Sequence, residues 1–340
     1  MAKNMSREAM EKKVGRLSPR LEAILKAAAD FSANSSAEGT IAKNAKKYRV
    51  LADIGTDHAY LPIEAIKRGI CERAIACDVA EGPLKAAAKN VQAAALDIED
   101  SAPNMNNAAL DTREVALCEK IETRLGDGLR VLHPGEADCI VIAGMGGMNI
   151  CEILASSPQI AKGELRQGNR ENMLEHGNLN HKMLEGEAAQ GCKKPPQLIL
   201  QPQHGQEELR RFLHTNMYTI IEETLVQERE RFYVIMVAQA VTDACIDECA
   251  DVNANTDICT SVGTDNVDMY SEAEYFTGRF SPKKNPALLP YLHKQHEKIS
   301  QFINNIPHPT EQSAVQTRLQ WLHELIDRAT GLICHGFRKL

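Results

Sequence analysis

The chain has 340 residues, 43% of them hydrophobic, and a formal net charge of −7. That length supports one large or two modest domains with a full core. It excludes a collagenous or repetitive protein, and no run approaches the ~20 apolar residues that span a bilayer. The N-terminus, MAKNMSREAMEKKVGRL, is charged at helical spacing and lacks the apolar centre of a signal peptide. Ten cysteines are scattered without a CxxC pair, Cys245 and Cys249 being the closest two. A zinc site needs tighter grouping, so they read as free thiols in a reducing cytosol, and no metal is expected. The expected location is cytoplasmic.

In chain order, the first buried strands are RVLADI (49–54) and RAIACD (73–78), apolar runs bounded by turns. YLPIEAIKRG lies between them and GPLKAAAKNVQAAAL follows the second, both of helical composition. Further strands are DCIVIAG (138–144) and QLILQ (197–201), with a third strand presumed before Gly126. Strand alternating with helix over short connections predicts a parallel sheet covered on both faces. MYTIIEETLV and RFYVIMVAQA, separated by QERE, read instead as an antiparallel hairpin. A doubly wound α/β sheet closed by a hairpin is the layout of class I S-adenosylmethionine-dependent methyltransferases.

Three stretches interrupt this plan. Residues 101–115, 161–196 and 241–270 are polar and weakly periodic, and read as insertions or mobile loops within and after a sheet domain of residues 1–240. Residues 241–274 carry nine acids and no Lys or Arg, which leaves the rest of the chain at +2; from Arg279 onward nine Lys or Arg face four acids. One face can therefore be basic despite the overall charge, although ordinary solvated helices explain the same numbers. Residues 271–340 form a helical domain: one helix carries Leu292, Ile299, Phe302 and Ile306 and ends at Pro307 and Pro309, and a second, about 310–329, carries Val315, Leu319, Leu322 and Ile326.

In an open parallel sheet, ligands sit outside the carboxyl ends of the strands. After the first strand come Asp53, Gly55, Thr56, Asp57 and His58. A dinucleotide turn wants GxGxxG there, so that bare amides meet a pyrophosphate. Here the later glycines are missing and Asp57 would repel phosphate. A cationic nucleoside without phosphate, such as S-adenosylmethionine, suits such a turn. Asp78 and Val79 end the second strand, where a carboxylate takes ribose hydroxyls, a feature shared with NAD sites. Gly126, Asp127 and Gly128 follow the third, and a carboxylate there can accept from an adenine amino group. Ala143, Gly144, Met145, Gly146 and Gly147 end the fourth, where glycine lets the backbone approach the reacting methyl. Each glycine taken singly is equally a tight turn.

Asp53, Asp57 and His58 together resemble a hard-metal donor set, but no HxH or HxxxH partner accompanies them. His58 reads as a helix-start or core hydrogen bond, and Tyr60 either as core or as a pocket wall. Two other classes stay open, a nicotinamide oxidoreductase and an RNA-binding module with a vestigial cofactor site, beside a methyltransferase for another nucleoside or a protein.

LSPRLEAI, LADIGTDHAYLPI, AIACDVAEGPL, RLGDGLRVL, IVIAGMGG, LILQPQ and LVQERERFYVIM, in that order, resemble the TrmK family over most of residues 16–238 outside the insertions. That resemblance implies a bacterial tRNA methyltransferase acting on N1 of adenine 22, with S-adenosylmethionine as cofactor, tRNA as partner and a C-terminal helical, coiled-coil-like domain. It makes the loops at Asp53–His58, Asp78–Val79, Gly126–Gly128 and Ala143–Met145 the cofactor site. Asp57, Tyr60, Gly146 and Gln201 are then expected around the reacting atoms. Gln203, with Arg16, Arg20, Lys283 and Lys284, is expected on the RNA side. The chain departs from the family in having Gln203 where QPN is usual, and in its three insertions.

Overall fold

The structure, a computed structural model, describes residues 17–34, 47–100, 117–163, 195–241, 270–282, 284–303 and 309–336. The expectations placed on Arg16, Lys283, Ile306, Pro307, residues 101–115 and nearly all of 161–196 and 241–270 lie outside these residues.

After helix α1 (Pro19–Asn34) the chain alternates: β1 (Tyr48–Ile54), α2 (Tyr60–Lys67), β2 (Cys71–Asp78), α3 (Glu81–Asp100), β3 (Ile121–Leu125) and β4 (Cys139–Met145). It continues with α4 (Gly147–Ser156), the single turn α5 (Pro158–Ala161), β5 (Gln197–Pro202) and α6 (Gln206–Thr215). The hairpin β6 (Tyr218–Glu228) and β7 (Arg231–Ala240) follows, then α7 (Glu272–Thr277), α8 (Leu288–Ile303) and α9 (Pro309–Gly336). One seven-stranded sheet results, in the order β3-β2-β1-β4-β5-β7-β6. Strands β1 to β5 pair in parallel and β7 enters antiparallel to β5 and β6. This is the doubly wound α/β sheet closed by a hairpin that the order of strands and helices implies, the layout of class I methyltransferases.

Two-residue periodicity explains how a nearly all-apolar strand serves two cores. Val50, Ala52 and Ile54 of β1 point into one cluster with Ile140, Ile142, Leu198, Leu200, Val234 and Met236. The alternate residues Leu51, Val141, Ile199 and Ile235 point into the other, which α1, α2 and α3 cover with Ile24, Leu25, Leu61, Ile63, Ala87 and Val91. Shifting any of these strands by one residue would exchange the two sets, so register and core specify each other.

The C-terminal helices are part of the first core. Leu292 of α8 and Leu322 of α9 are each 1% exposed and pack in the cluster that contains Ile150, Leu209 and Leu213. Two sequence expectations shift here. Pro309, read as ending a helix, opens α9, where its missing N–H and fixed φ suit a first turn. The QERE linker contributes only Arg229 and Glu230 to the turn, since Glu228 already pairs with Arg231, and Arg229 takes φ 56°. Among the described residues, no helix is long and apolar enough to cross a membrane.

Candidate active site at the carboxyl ends of the strands

The loops that follow β1 to β5 all emerge at one edge of the sheet, because parallel strands share a direction. The β1 loop is tied to its neighbour: the Gly55 and Thr56 amides both donate to the Cys77 carbonyl, at 2.9 and 2.8 Å. Gly126 donates to the Asp78 carbonyl at 2.9 Å, which sets the third loop beside the second. Gly55 lies at φ +80°, and a Cβ there would sit 2.1 Å from Met145 Cε, so the methionine side chain lies directly over the glycine.

These loops and the first turns of α4 enclose a cavity of about 510 Å³. Of the expected cofactor residues, Gly55, Asp78, Val79, Gly126, Asp127, Gly128 and Met145 line it. Its remaining walls are Ile54, Cys77, Arg130, Asn149, Glu152, Ile153 and Ser156. The last four escaped the sequence reading, yet they stand at i, i+3, i+4 and i+7 on the helix after GMGG, one helical face turned to the site. Among the described residues, the charged lining is Asp78, Asp127 and Glu152 against a single cation, Arg130, which pairs with Asp127 at 3.1 Å. Asp78 Oδ1 accepts the Ala80 amide at 2.8 Å.

Asp53 lies beneath this wall rather than in it. It is 7% exposed, and burial pushes its carboxyl up to about 6, against the opposing pull of the Thr56 hydroxyl and with a contribution from the Asp78 charge. Thr56 is buried as well. Asp57 and His58 point outward: Nε2 of His58 is 3.4 Å from Asp57 Oδ2, and the Asp57 side chain is 79% exposed. The His58 ring sits 5.4 Å from that of Tyr60, which is itself exposed. None of these three lines the cavity, nor do Ala143 and Gly144.

A second cluster adjoins the cavity at Met145. Gln201, fully buried at the end of β5, accepts the Gly144 amide at 3.2 Å and Arg20 Nη1 at 3.3 Å through one oxygen. Its Nε2 donates to the Pro202 carbonyl at 3.0 Å. Gln203 donates its backbone amide to the Met145 carbonyl at 2.8 Å and leaves its side chain exposed. The glycines here are close-packed: a Cβ on Gly146 would strike the His204 ring at 2.6 Å, and one on Gly147 would strike the Gly205 carbonyl oxygen at 2.0 Å. The Gly147 amide donates to the His204 carbonyl at 2.7 Å. Lys284 stands apart from this edge, paired with Glu222 on β6.

The described cysteines are free thiols. Burial pushes Cys71 and Cys77 up to about 12, which removes them as nucleophiles at neutral pH. Among the described residues, no group of three or more His, Cys, Asp or Glu comes together as a metal site.

Residues 39–103 and 92–167 match the model of a methyltransferase domain, and residues 177–329 match that of tRNA (adenine(22)-N(1))-methyltransferase. A Bacillus subtilis (strain 168) protein named tRNA (adenine(22)-N(1))-methyltransferase is 30% identical over 201 residues, 59% of this chain and 63% of that one. The chain thus spans less than two thirds of that relative's length. Among solved structures, the Streptococcus pneumoniae putative tRNA (m1A22) methyltransferase is 25% identical, with a TM-score of 0.58 over 92% of this chain and 100% of its own. The complex of that protein with S-adenosyl-L-methionine shares the fold at 24% identity, a TM-score of 0.58 and the same coverage. The resemblance read from the ordered motifs is therefore carried by sequence and by fold.

Proposed function

We propose that this chain, with the fold and motifs of the TrmK proteins it resembles, is an S-adenosylmethionine-dependent methyltransferase for N1 of an adenine in tRNA, adenine 22 by that resemblance. The observation that carries the reading is the cavity at the strand ends, whose charged lining among the described residues is Asp78, Asp127 and Glu152 against Arg130. Such a wall repels a pyrophosphate and attracts the sulfonium and ammonium of the proposed cofactor. Met145 lies over Gly55 in this wall, and Val79 stands exposed beside Asp78.

Bound there, S-adenosylmethionine would supply an electrophilic methyl group: the N1 lone pair forms the C–N bond as the C–S bond breaks, leaving S-adenosylhomocysteine and a cationic ring. N1 needs no prior deprotonation, so the task of the protein is orientation, worth a large part of such a barrier. Asp78 would accept hydrogen bonds from the cofactor's ribose hydroxyls and Asp127 from its adenine amino group. Buried Asp53 sets the negative potential under the β1 turn. The Gly144–Gly146 backbone would give the target base close approach from the β4 side, with Gln203 exposed beside Gly144, and Tyr60 exposed at the start of α2, for contact with a base that has left its stack. Arg20 is the cation that would meet phosphate at this edge, whereas Lys284 is paired with Glu222 away from it; a tRNA substrate implies a cytoplasmic protein.

The experiment is direct. Purified protein is incubated with a tRNA transcript and labelled S-adenosylmethionine, and the RNA is digested for nucleoside mass spectrometry. The expected product is 1-methyladenosine, absent when adenine 22 is replaced by guanine. Tight NAD binding with no heat from S-adenosylmethionine would overturn the reading.

A further inference from the structure

We propose that Gln201 is a positioning residue that aims the Arg20 guanidinium at an RNA phosphate beside the target base; this rests on the tRNA methyltransferase reading. Gln201 is fully buried and both ends of its amide are engaged, Oε1 by Gly144 and Arg20, Nε2 by the Pro202 carbonyl. To read a base edge it would have to abandon partners in a place that water cannot reach. Its chemistry is spent on holding two other groups.

The group it holds toward solvent differs from most of the described arginines, which pair with carboxylates. Arg68, Arg124 and Arg211 each grip carboxylates, with Glu22, Glu136 and Glu272 at 2.5–2.7 Å. Arg20 is half-buried, and among the described residues it has no carboxylate partner and a single hydrogen bond, to Gln201. Its guanidinium carbon lies 5.4 Å from the centre of the Tyr233 ring. A guanidinium steadied by an aromatic ring and one hydrogen bond keeps most of its five N–H donors for an oxyanion, which its planar fork grips at two points.

Position makes the oxyanion a phosphate at the reaction site. A Cβ on Gly144 would lie 3.7 Å from Arg20 Nη1 and 3.8 Å from Gln203 Nε2, so both donors flank the residue before Met145, which lines the cavity. A phosphate on Arg20 therefore stands next to the loop that faces the methyl group. Gln201 holds that loop and Arg20 through the same oxygen, so the anchor for RNA and the wall of the cavity keep one geometry.

The test uses the full chain, tRNA binding over a series of salt concentrations, calorimetry with S-adenosylmethionine, and steady-state methyl transfer. Arg20→Gln is expected to raise the KM for tRNA about tenfold and to reduce the slope of log affinity against log salt by about one unit, as for one lost phosphate contact. Cofactor affinity should stay within about twofold. Arg20→Lys should recover the slope but not kcat, since a point charge replaces the fork. Gln201→Glu, which gives Arg20 a carboxylate partner, should weaken RNA binding and reduce the salt slope as Arg20→Gln does. Gln201→Met should lower kcat with the salt slope intact. Arg20→Gln with an unchanged salt slope and KM overturns the inference, and does so whether or not the Gln201 variants fold. Wild-type protein that binds tRNA but transfers no methyl group would sink the enzymatic reading, while the slope still decides the Arg20 contact.

Discussion

Asp78 offers the sharpest test of the cofactor site. Its carboxylate lines the cavity and accepts the Ala80 amide through Oδ1, so replacement removes two things at once. Losing a charged acceptor for the ribose hydroxyls should cost about 1.5–3 kcal/mol of binding, or roughly 10- to 150-fold in the dissociation constant for S-adenosylmethionine. Losing the turn hydrogen bond should cost about 1 kcal/mol of stability. Asp78→Ala shows both effects. Asp78→Asn keeps an oxygen for the Ala80 amide, so it should lose cofactor affinity with little change in stability. Calorimetry measures the first quantity and urea unfolding the second. If Asp78→Asn binds the cofactor within twofold of the parent protein, the ribose role is refuted and the carboxylate is only a turn cap.

Asp53 predicts a pH dependence of folding. Its folded carboxyl is raised from 3.8 to about 6 by burial, so between those values the folded state holds more proton than the unfolded one. Its contribution to stability therefore falls as pH rises from about 4 to 6, by on the order of 3 kcal/mol for a shift of this size. Asp53→Asn should flatten that part of the urea-unfolding profile; an unchanged profile would place the titration elsewhere. Glu223→Gln should destabilise by about 3–5 kcal/mol, because fully buried Arg210 loses its counter-charge. A double variant with apolar residues at both positions should lose less, and urea midpoints decide between the two. Gly147→Ala should cost several kcal/mol or prevent folding, since its Cβ would sit 2.0 Å from the backbone oxygen of Gly205, which cannot rotate away as a side chain does. Circular dichroism and thermal melting check it.

The Arg210–Glu223 pair also shows how far the C-terminal region is built into the sheet domain. Glu223 accepts from Arg210 Nε at 2.8 Å, the Tyr270 hydroxyl at 3.1 Å and the Arg279 amide at 2.6 Å, while Arg210 Nη1 donates to the Tyr275 carbonyl at 2.9 Å. Removing everything after residue 278 would take away the Arg279 amide that Glu223 accepts and, with Leu292 of α8 and Leu322 of α9, part of the core that contains Ile150, Leu209 and Leu213. A truncation there tests folding before it tests RNA binding.

Much of this was readable from residue order alone. Strands β1, β2, β4 and β5 lie within two residues of their expected limits, because a strand covered on both faces must be apolar throughout and must stop where the turn residues begin. Glycines and acids at the strand ends marked the cavity for a related reason: the carboxyl edge is common to all parallel strands, so residues far apart in sequence are forced together there. What the sequence could not assign was direction within that edge. Asp57 and His58 lie in the same short loop as Gly55, yet they face outward while Gly55 faces the cavity. Gln201 looks like a base reader in isolation, and only its burial against Gly144 and Arg20 turns it into a support. The partnership of Arg20 with Gln201 spans 181 positions, and no local pattern encodes it. Hydrophobic spacing is a local property and was legible; the orientation of polar side chains is decided by which distant groups fill the space beside them, and that exists only once the chain has packed.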